Sequence, residues 1–255
     1  MTKITKEKIA ISLDKPLLTL IDALVDGTTL RSRSQAIESL VRKGLSQEYI
    51  QDAIILLKKE HQHLLEQKIN GKTLFQCHLN LLEKANIKQC YFVTSQTPLM
   101  HTLFASVSSS TKIQLHLIDE TIPHGNVAAL HLMRDKLHTN FVVLLGDIYN
   151  NFNLKKMILF HLNKNKLATV GLMSHNQPNL YSSVELEGDR IVAFRNKKKS
   201  SSFIIDAGVY VFNILLFHYF DEKTRFFEKD VLPKLCTLDQ MNGYFTYGKY
   251  RHFGE

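Results

Sequence analysis

The stretch Phe141-Val-Val-Leu-Leu-Gly-Asp147 joins a short apolar run to a glycine and a carboxylate. Such a run, bounded by a glycine, is typical of a strand that is buried on both faces of a sheet. Runs of the same kind recur along the chain at Ala53–Leu57, Cys90–Thr94, Ile113–Ile118 and Ala168–Met173. The pattern predicts a sheet with an acidic side chain at the end of one strand.

Helical stretches separate these runs, at Thr73–Ala85, Pro98–Val107, Asn126–Leu137 and Asn153–Asn163. Alternating strands and helices predict a doubly wound (Rossmann-like) α/β domain with right-handed crossovers. We expect this domain to cover residues 51–255. The runs Ser183–Glu187, Arg190–Phe194 and Phe203–Phe212 predict an added β portion. The ligand site of such a domain lies at the carboxyl ends of the strands, where the strand order reverses.

The first fifty residues have a different pattern. Lys8–Leu13 alternates between polar and apolar residues, which predicts a short, half-buried strand. Two amphipathic helices are predicted after it, one from Pro16 to Val25 and one starting near Ser32. One strand and two short helices cannot form a core alone. We therefore expect two copies to pair, with their strands antiparallel across a twofold axis.

This order of elements over residues 7–46 resembles the ribbon-helix-helix family of DNA-binding repressors. The resemblance implies a dimeric DNA-binding domain over residues 1–47. A two-stranded ribbon would contact base edges in the major groove, and the start of the second helix would hold a backbone phosphate. The residues implied for these contacts are Lys8, Ala10, Ser12, Ser32, Arg33 and Ser34. The alternative is a plain dimerisation module that does not contact DNA.

Seven short motifs follow in the second part of the chain. They are Gly71-Lys-Thr-Leu74, Pro123-His-Gly-Asn-Val-Ala-Ala129, Val143-Leu-Leu-Gly-Asp147, Phe194-Arg-Asn-Lys-Lys198, Asp206-Ala-Gly-Val-Tyr-Val-Phe212, Phe227-Glu-Lys-Asp-Val-Leu-Pro-Lys-Leu235 and Tyr250-Arg-His-Phe-Gly254. In this order they resemble motifs of the sugar-phosphate nucleotidyltransferase family. Its members join a nucleoside triphosphate to a sugar 1-phosphate and release pyrophosphate.

The resemblance implies a pocket for a nucleotide, nucleotide-sugar or sugar phosphate. The pocket residues that it implies are Pro123, Gly125, Asn126, Gly146, Asp147, Lys197 and Asp206. Asp147 matches the first of two aspartates that hold Mg²⁺ in the family, and His252 occupies the place of the second. Asn196 occupies the place of a family glutamate, and Asp206 that of an asparagine. If the protein is active, Mg²⁺ is the expected cofactor.

The chain departs from the family at the glycine-rich phosphate loop. Lys58, Lys59 and Glu60 occupy positions where small residues let phosphate approach the backbone. The family's catalytic lysine falls near Leu64. One carboxylate rarely holds Mg²⁺ without help from substrate phosphates. We therefore assign no catalytic residue, and the departures favour a domain that binds a ligand without transferring a nucleotidyl group.

Several histidines are expected near the same crevice. His61, His63, His124 and His252 would approach Asp147, and imidazole with carboxylate suits Zn²⁺ or a similar transition metal. The simpler interpretation, which we favour, is that these are solvated loop residues in a chain with 12 histidines.

The composition bears on the protein's partners, on the state of its cysteines and on its location. A net charge of +8 permits nucleic acid as a partner without requiring it. Three widely spaced cysteines indicate reduced thiols. The sequence has neither a long apolar run nor an apolar N-terminal signal segment, which predicts a cytoplasmic protein that does not enter the membrane.

These observations favour a dimeric DNA-binding transcriptional regulator. Its nucleotidyltransferase-like domain would be inactive and would sense a ligand or support oligomerisation. The alternative is an active sugar-phosphate nucleotidyltransferase that makes nucleotide sugars and is dimerised by its N-terminal segment. A third interpretation, which no sequence feature selects, is a structural DNA-organising protein.

Overall fold

The computed structural model of the chain describes residues 9–48, 50–107, 110–120, 125–195, 202–221 and 223–254. Side chains are described for all of these except residues 42–48 and 179. The chain divides into two compact units, Met1–Leu45 and Ser46–Glu255. Within the described ranges, no helix combines the length and the hydropathy that crossing a membrane requires.

The N-terminal unit contains α1 (Lys15–Asp22) and most of α2 (Arg33–Glu48). The Asp14 carboxylate accepts a hydrogen bond of 2.8 Å from the Leu17 amide and caps α1. The Arg33 guanidinium donates to both oxygens of Asp22, each at 2.7 Å, and this joins the two helices. Arg33 was predicted to lie near a DNA phosphate, but in the structure it is paired with a carboxylate of its own unit.

The strand predicted at Lys8–Leu13 is not found. Residues 9–14 have no regular secondary structure, and Lys8 lies outside the described residues. A strand needs a neighbour for its backbone N–H and C=O groups, and no strand of the described chain pairs with this segment. Ala10 and Ser12 therefore lie on an irregular, exposed segment, and a ribbon-helix-helix arrangement is not shown.

The second unit is built on one large mixed sheet with two small two-stranded sheets beside it. The strands are β1 (Asp52–Leu56), β2 (Lys68–Ile69), β3 (Lys72–Thr73), β4 (Gln89–Thr94), β5 (Gln114–Asp119), β6 (Phe141–Leu145), β7 (Ile148–Asn151), β8 (Ala168–Ser174), β9 (Ser183–Glu187), β10 (Arg190–Arg195), β11 (Ile204–Phe212), β12 (Met241–Phe245) and β13 (Lys249–His252). The large sheet has the order β5-β4-β1-β6-β11-β8-β12-β10-β9.

The order of the large sheet confirms the α/β prediction. Strands β5, β4, β1 and β6 are parallel, as the alternation of apolar runs with helices predicts. The later half is mixed, because β11 runs antiparallel between β6 and β8, while β12 runs parallel to β8. The chain moves from β1 to β4 and β5 on one side and then crosses to β6 on the other. The strand order therefore reverses between β1 and β6.

The surroundings of β1 explain why the stretches predicted as strands are continuously apolar. Ala53, Ile55 and Leu57 belong to the core on one face of the sheet, and Ile54 and Leu56 belong to the core on the other. Both faces are thus removed from water, which a parallel central strand requires. Phe92 on β4 extends the first core, where its ring lies 5.1 Å and 5.3 Å from those of Phe75 and Phe104.

The helices of this unit are α3 (Leu74–Lys84), α4 (Pro98–Val107), α5 (Asn126–His131), α6 (Leu154–Lys164) and α7 (Leu232–Thr237). Helix α3 begins with a capping box, in which Thr73 and Gln76 exchange side-chain and backbone hydrogen bonds. The predicted helix at Asn126–Leu137 is too long, since α5 ends at His131 and turns follow to Lys136.

We expect Phe92→Ala to destabilise the second unit by about 3–5 kcal/mol, because it leaves a cavity between two aromatic rings. Phe203→Ala is the matched control, since the same atoms are removed from a side chain that is 62% exposed. That change should cost at most about 0.5 kcal/mol. The measurement is urea unfolding of both variants. Equal costs would contradict the assignment of Phe92 to the core.

Candidate active site

A cavity of about 700 Å³ lies where the strand order reverses, at the carboxyl ends of β1 and β6. This is the position predicted for the ligand site of a doubly wound sheet. Its polar lining includes Lys58, Glu60, Glu120, Asn126, Asp147, Tyr181, Ser182, Asp206, Arg225, Glu228, Tyr250 and His252. The structure thus brings four of the predicted pocket residues to one cavity: Gly125, Asn126, Asp147 and Asp206.

Gly125 and Asn126 form one wall of this cavity by packing against the segment before α7. Gly125 has φ +104°, and a Cβ atom there would lie 2.3 Å from the Arg225 carbonyl oxygen. That contact and the positive φ both require glycine. The Arg225 carbonyl accepts from Val127 at 3.0 Å, and the Asn126 side chain accepts from the Phe227 amide at 2.8 Å. These bonds fix where Arg225 enters the cavity wall.

Asp147 lies between two histidines. The Nδ1 atom of His61 is 2.8 Å from Oδ2 of Asp147, and Nε2 of His252 is 3.5 Å from the same oxygen. Burial raises the pKa of Asp147, but hydrogen bonding and charge from His252 and then His61 outweigh that effect and lower it. Asp147 is therefore an ionised carboxylate at neutral pH.

A buried histidine holds the backbone beside Asp147. His78 on α3 is 3% exposed, and its Nε2 atom lies 3.0 Å from the Gly146 carbonyl oxygen. Burial lowers the pKa of His78, so the ring is neutral and donates to this carbonyl from Nε2. A Cβ atom at Gly146 would lie 3.0 Å from atoms of Ile55 and Leu57, so a side chain there would fit only if these neighbours shifted slightly.

A 3₁₀ helix, Lys59–Glu66, replaces the glycine-rich loop that the family resemblance implies after β1. Gln62 anchors it, donating to Thr94 Oγ1 at 2.8 Å and to the Ser95 carbonyl at 2.7 Å, and accepting from Thr97 at 2.6 Å. Leu64, where the family lysine was expected, is buried. Lys58 is instead the lysine of this segment that lines the cavity.

Asp206 forms part of the cavity wall on β11. Its Oδ1 accepts from the Gly208 amide at 2.8 Å, and its Oδ2 accepts from the Tyr210 hydroxyl at 2.6 Å. Burial raises its pKa to about 7, although both hydrogen bonds favour the ionised form. The charge of Glu228, another cavity residue, raises the pKa further.

The remaining site predictions have different outcomes. Pro123, His124, Asn196 and Lys197 lie outside the described residues. His63 is exposed and is absent from the cavity lining, in contrast to His252. Across the ranges that the structure describes, no group of three or more histidine, cysteine or acidic side chains has a metal-binding arrangement.

The fit of Mg²⁺ depends on Asp147. Mg²⁺ takes oxygen ligands and is commonly held by one or two carboxylates together with substrate phosphates and water. Asp147 supplies one such carboxylate, whereas His252 offers nitrogen at the place of the second. The donor set therefore fits Mg²⁺ through Asp147, provided that phosphate oxygens and water complete the coordination.

Sequence reasoning missed Tyr181, Arg225, Glu228 and Tyr250 as cavity residues. Arg225 and Glu228 flank Phe227, where a quoted motif begins, and Tyr250 opens another.

Stability of the fold should depend on pH through Asp206. Its folded pKa of about 7 lies above the ordinary value of 3.8. Its stabilising contribution is therefore complete below pH 3.8 and is lost as pH rises through 7. We expect Asp206→Asn to gain about 2–3 kcal/mol relative to the unmutated protein between pH 5 and pH 8. Urea unfolding of both proteins at the two pH values measures this, and a constant difference would contradict the raised pKa.

The sheet order and the cavity define a Rossmann-like α/β protein with a ligand site at the switch point. The model of the nucleotidyl transferase family matches residues 34–250. The chain therefore belongs to the nucleotidyl transferase family.

The curated proteins that the chain matches include mannose-1-phosphate guanylyltransferases. The chain is 27% identical over 174 residues to probable mannose-1-phosphate guanylyltransferase 1 of Oryza sativa subsp. japonica, covering 65% of this chain and 48% of that protein. It is 24% identical over 192 residues to the mannose-1-phosphate guanylyltransferase catalytic subunit beta of Danio rerio, covering 72% and 53%. The chain thus spans about half the length of the curated relatives that it matches.

Solved structures share the fold. A putative glucose-1-phosphate thymidylyltransferase from Bacillus anthracis, in complex with a sucrose, matches with TM-score 0.68 and 15% identity, over 79% of this chain and 89% of that one. HddC from Yersinia pseudotuberculosis, complexed with GMP-PN, matches with TM-score 0.64 and 19% identity, over 80% and 94%. At these identities the likeness shows the α/β nucleotidyltransferase fold.

The favoured sequence interpretation, a DNA-binding regulator with an inactive large domain, is wrong. The family match and the guanylyltransferase relatives support a nucleotidyltransferase and give no support for DNA binding, transcription regulation or a pseudoenzyme. The alternative that the sequence left open, a sugar-phosphate nucleotidyltransferase, is the one that they favour.

Proposed function

We propose that this protein is a sugar-phosphate nucleotidyltransferase, which joins a nucleoside triphosphate to a sugar 1-phosphate and releases pyrophosphate. The observation that carries the proposal is an ionised Asp147 in a large cavity at the switch point of a nucleotidyltransferase sheet. The names of the curated relatives favour GTP and mannose 1-phosphate as the first substrate pair to test.

The cavity residues suit this chemistry. A phosphate oxygen of the sugar 1-phosphate attacks the α-phosphorus of the triphosphate, and the bond from that phosphorus to the pyrophosphate oxygen breaks. Lys58 and Arg225 bring positive charge to the cavity wall, where they would attract and orient the phosphates. When bound, Mg²⁺ supplies charge neutralisation between the reacting phosphates.

Asp147 is the residue that would hold Mg²⁺, and its neighbours prepare it for that role. His61 and His252 keep it ionised and fix one of its oxygens, while the Phe253 amide donates to the Asp147 carbonyl at 2.9 Å. Both histidine contacts are made to Oδ2 of Asp147, and Oδ1 takes part in neither of them. Positioning and electrostatic stabilisation dominate catalysis of phosphoryl and nucleotidyl transfer.

We expect pyrophosphate release from GTP and mannose 1-phosphate with Mg²⁺ present, within a panel of nucleoside triphosphates and sugar 1-phosphates. Asp147→Ala should lower kcat/KM by at least about 100-fold, because it removes the carboxylate that would hold Mg²⁺. Asp135→Ala, a change at an exposed carboxylate away from the cavity lining, is the control and should keep full activity. No release above background with any substrate pair, or full activity of Asp147→Ala, would overturn the proposal.

We also propose that the N-terminal unit pairs with a second copy of itself. Its described side chains include only two buried hydrophobic residues, Ile21 and Ala36. Seven large apolar side chains are exposed: Ile9, Ile11, Leu17, Leu20, Leu24, Leu40 and Val41. Most large apolar side chains of this unit are thus in contact with water, which an interface with a second copy would remove.

The charges of this unit permit self-pairing. Residues 9–41 carry three basic side chains, Lys15, Arg31 and Arg33, and four acidic ones, Asp14, Asp22, Asp26 and Glu38. This near-neutral balance avoids like-charge repulsion between copies. A unit of this size with so small a core gains stability from oligomerisation.

Light scattering after size exclusion should give twice the mass of one chain at micromolar concentration. Leu20→Asp should shift the protein to the monomer, because a charge at a 66% exposed apolar position would be buried in the interface. Tyr247→Asp adds the same charge at a 93% exposed position of the second unit and should leave the dimer intact. A monomeric unmutated protein, or a dimeric Leu20→Asp variant, would contradict self-pairing.

A further inference from the structure

The geometry points to His61 as a positioning residue, which holds the carboxylate of Asp147 in the orientation that a bound cation requires. This inference rests on the proposed function, since it concerns the Mg²⁺ that Asp147 would hold there. It gives the 3₁₀ helix after β1 a role besides presenting Lys58 to the cavity. The backbone at Asp147, the contact itself, the helix and Gly254 support it.

The backbone of Asp147 is fixed on both sides, but this does not fix its side chain. His78 contacts the Gly146 carbonyl at 3.0 Å, and the Phe253 amide donates to the Asp147 carbonyl at 2.9 Å. A carboxylate on a fixed backbone still has several staggered positions about its side-chain bonds. In most of them its oxygens would point away from a cation in the cavity. A contact to one carboxylate oxygen is therefore needed to select the productive position.

His61 makes the shorter of the two histidine contacts to Asp147. Its Nδ1 atom lies 2.8 Å from Oδ2, within the normal range of an N–H···O bond, whereas Nε2 of His252 is 3.5 Å from the same oxygen. Because an ionised carboxylate only accepts hydrogen bonds, Nδ1 carries the hydrogen and donates it. Side chains that donate to a metal-binding carboxylate in this way orient it for the ion.

The 3₁₀ helix holds His61 firmly in place. The His61 amide donates to the Lys58 carbonyl at 3.0 Å. The next residue, Gln62, is buried and is hydrogen-bonded to residues 94–97 at the end of β4. Leu65, one turn further along, is fully buried in the core. The imidazole is thus presented to Asp147 by a segment that is anchored on both sides of the cavity wall.

Gly254 packs against the hydrogen bond between His61 and Asp147. A Cβ atom at this position would lie 2.5 Å from Oδ2 of Asp147 and 2.7 Å from Cε1 of His61. Both distances are too short for a carbon atom, so an alanine there would displace one of the two side chains. Gly254→Ala would therefore disturb the hydrogen bond while keeping both of its partners.

The test compares the affinity for GTP in excess Mg²⁺ with the affinity for GTP in EDTA, measured by calorimetry on the full chain. The ratio of the two affinities reports what the cation contributes to binding. Asp147→Ala shows how much of that contribution passes through this carboxylate. The affinity in EDTA reports the contacts of the phosphates with Lys58 and Arg225, so a variant that fails to fold would lose both affinities.

Three further variants separate positioning from a structural role. His61→Asn places an amide N–H where Nδ1 lies, whereas His61→Gln places it one bond further out, where Nε2 lies. His63→Ala is the matched control for His61→Ala, because His63 is exposed on the same helix and is absent from the cavity lining.

We expect Mg²⁺ to tighten GTP binding to the unmutated protein and to have little effect on Asp147→Ala. His61→Ala and His61→Gln should lower the affinity ratio by about 10-fold or more, since side chains that orient a metal ligand contribute roughly 10- to 100-fold to metal affinity. Their affinities in EDTA should stay close to that of the unmutated protein. His61→Asn should keep the ratio within about 3-fold, because it restores the donated hydrogen bond. His63→Ala should keep the ratio unchanged, and Gly254→Ala should lower it.

An unchanged or larger ratio in His61→Ala would overturn the inference, as would an equal loss in His63→Ala. Absence of GTP binding, or GTP binding that Mg²⁺ does not tighten, would overturn it as well. The titrations contain no sugar 1-phosphate, so the two proposals can fail separately. A ratio that depends on His61 in a protein that releases no pyrophosphate would remove the enzymatic function alone. Pyrophosphate release with a ratio that does not depend on His61 would remove this inference alone.

Discussion

The pairing of β1 with β6 is the constraint on which the site depends. The Gly146 amide donates to the Leu56 carbonyl at 2.8 Å, which extends the parallel ladder one residue beyond β6. This bond brings the end of β6 beside the end of β1, so that Lys58 and Asp147 enter one cavity. His78 fixes the Gly146 carbonyl from the other side. A side chain at Gly146 would crowd Ile55 and Leu57 at the end of β1.

The parallel half of the sheet could be predicted from the sequence, and its mixed half could not. Strands β1, β4 and β6 are buried over most of their length, so each leaves an apolar run that local reasoning detects, whereas β5, at the edge of the sheet, is only partly buried. The neighbours of β8 depend on β11, which returns antiparallel from a distant part of the chain. Long-range pairing of that kind leaves no local pattern. The start of α5 also depends on a distant segment, because Val127 and Asn126 are hydrogen-bonded to Arg225 and Phe227.

The site residues that could be predicted from the sequence are those that lie on a strand or directly after one. Asp147 follows β6 and Asp206 lies on β11, so fold and motif together placed both in the cavity. Arg225 reaches the cavity because Gly125 allows a backbone contact that any Cβ atom would block. Such a contact depends on two segments a hundred residues apart. At the N-terminus, the predicted strand had no partner within the described chain, which is why the alternating pattern there did not produce a strand.

The lack of a glycine-rich loop after β1 does not by itself remove the means of binding phosphates. A glycine-rich loop is one way to place positive or partially positive groups around phosphates. Here a 3₁₀ helix held by Gln62 follows β1, with Lys58 at its start on the cavity wall and His61 against Asp147. Nucleotidyl transfer demands little covalent chemistry from the protein, and its catalysis rests on charge and position. A segment without glycines can meet these demands if hydrogen bonds hold it in place. In this protein the bonds of Gln62 hold the 3₁₀ helix in that way.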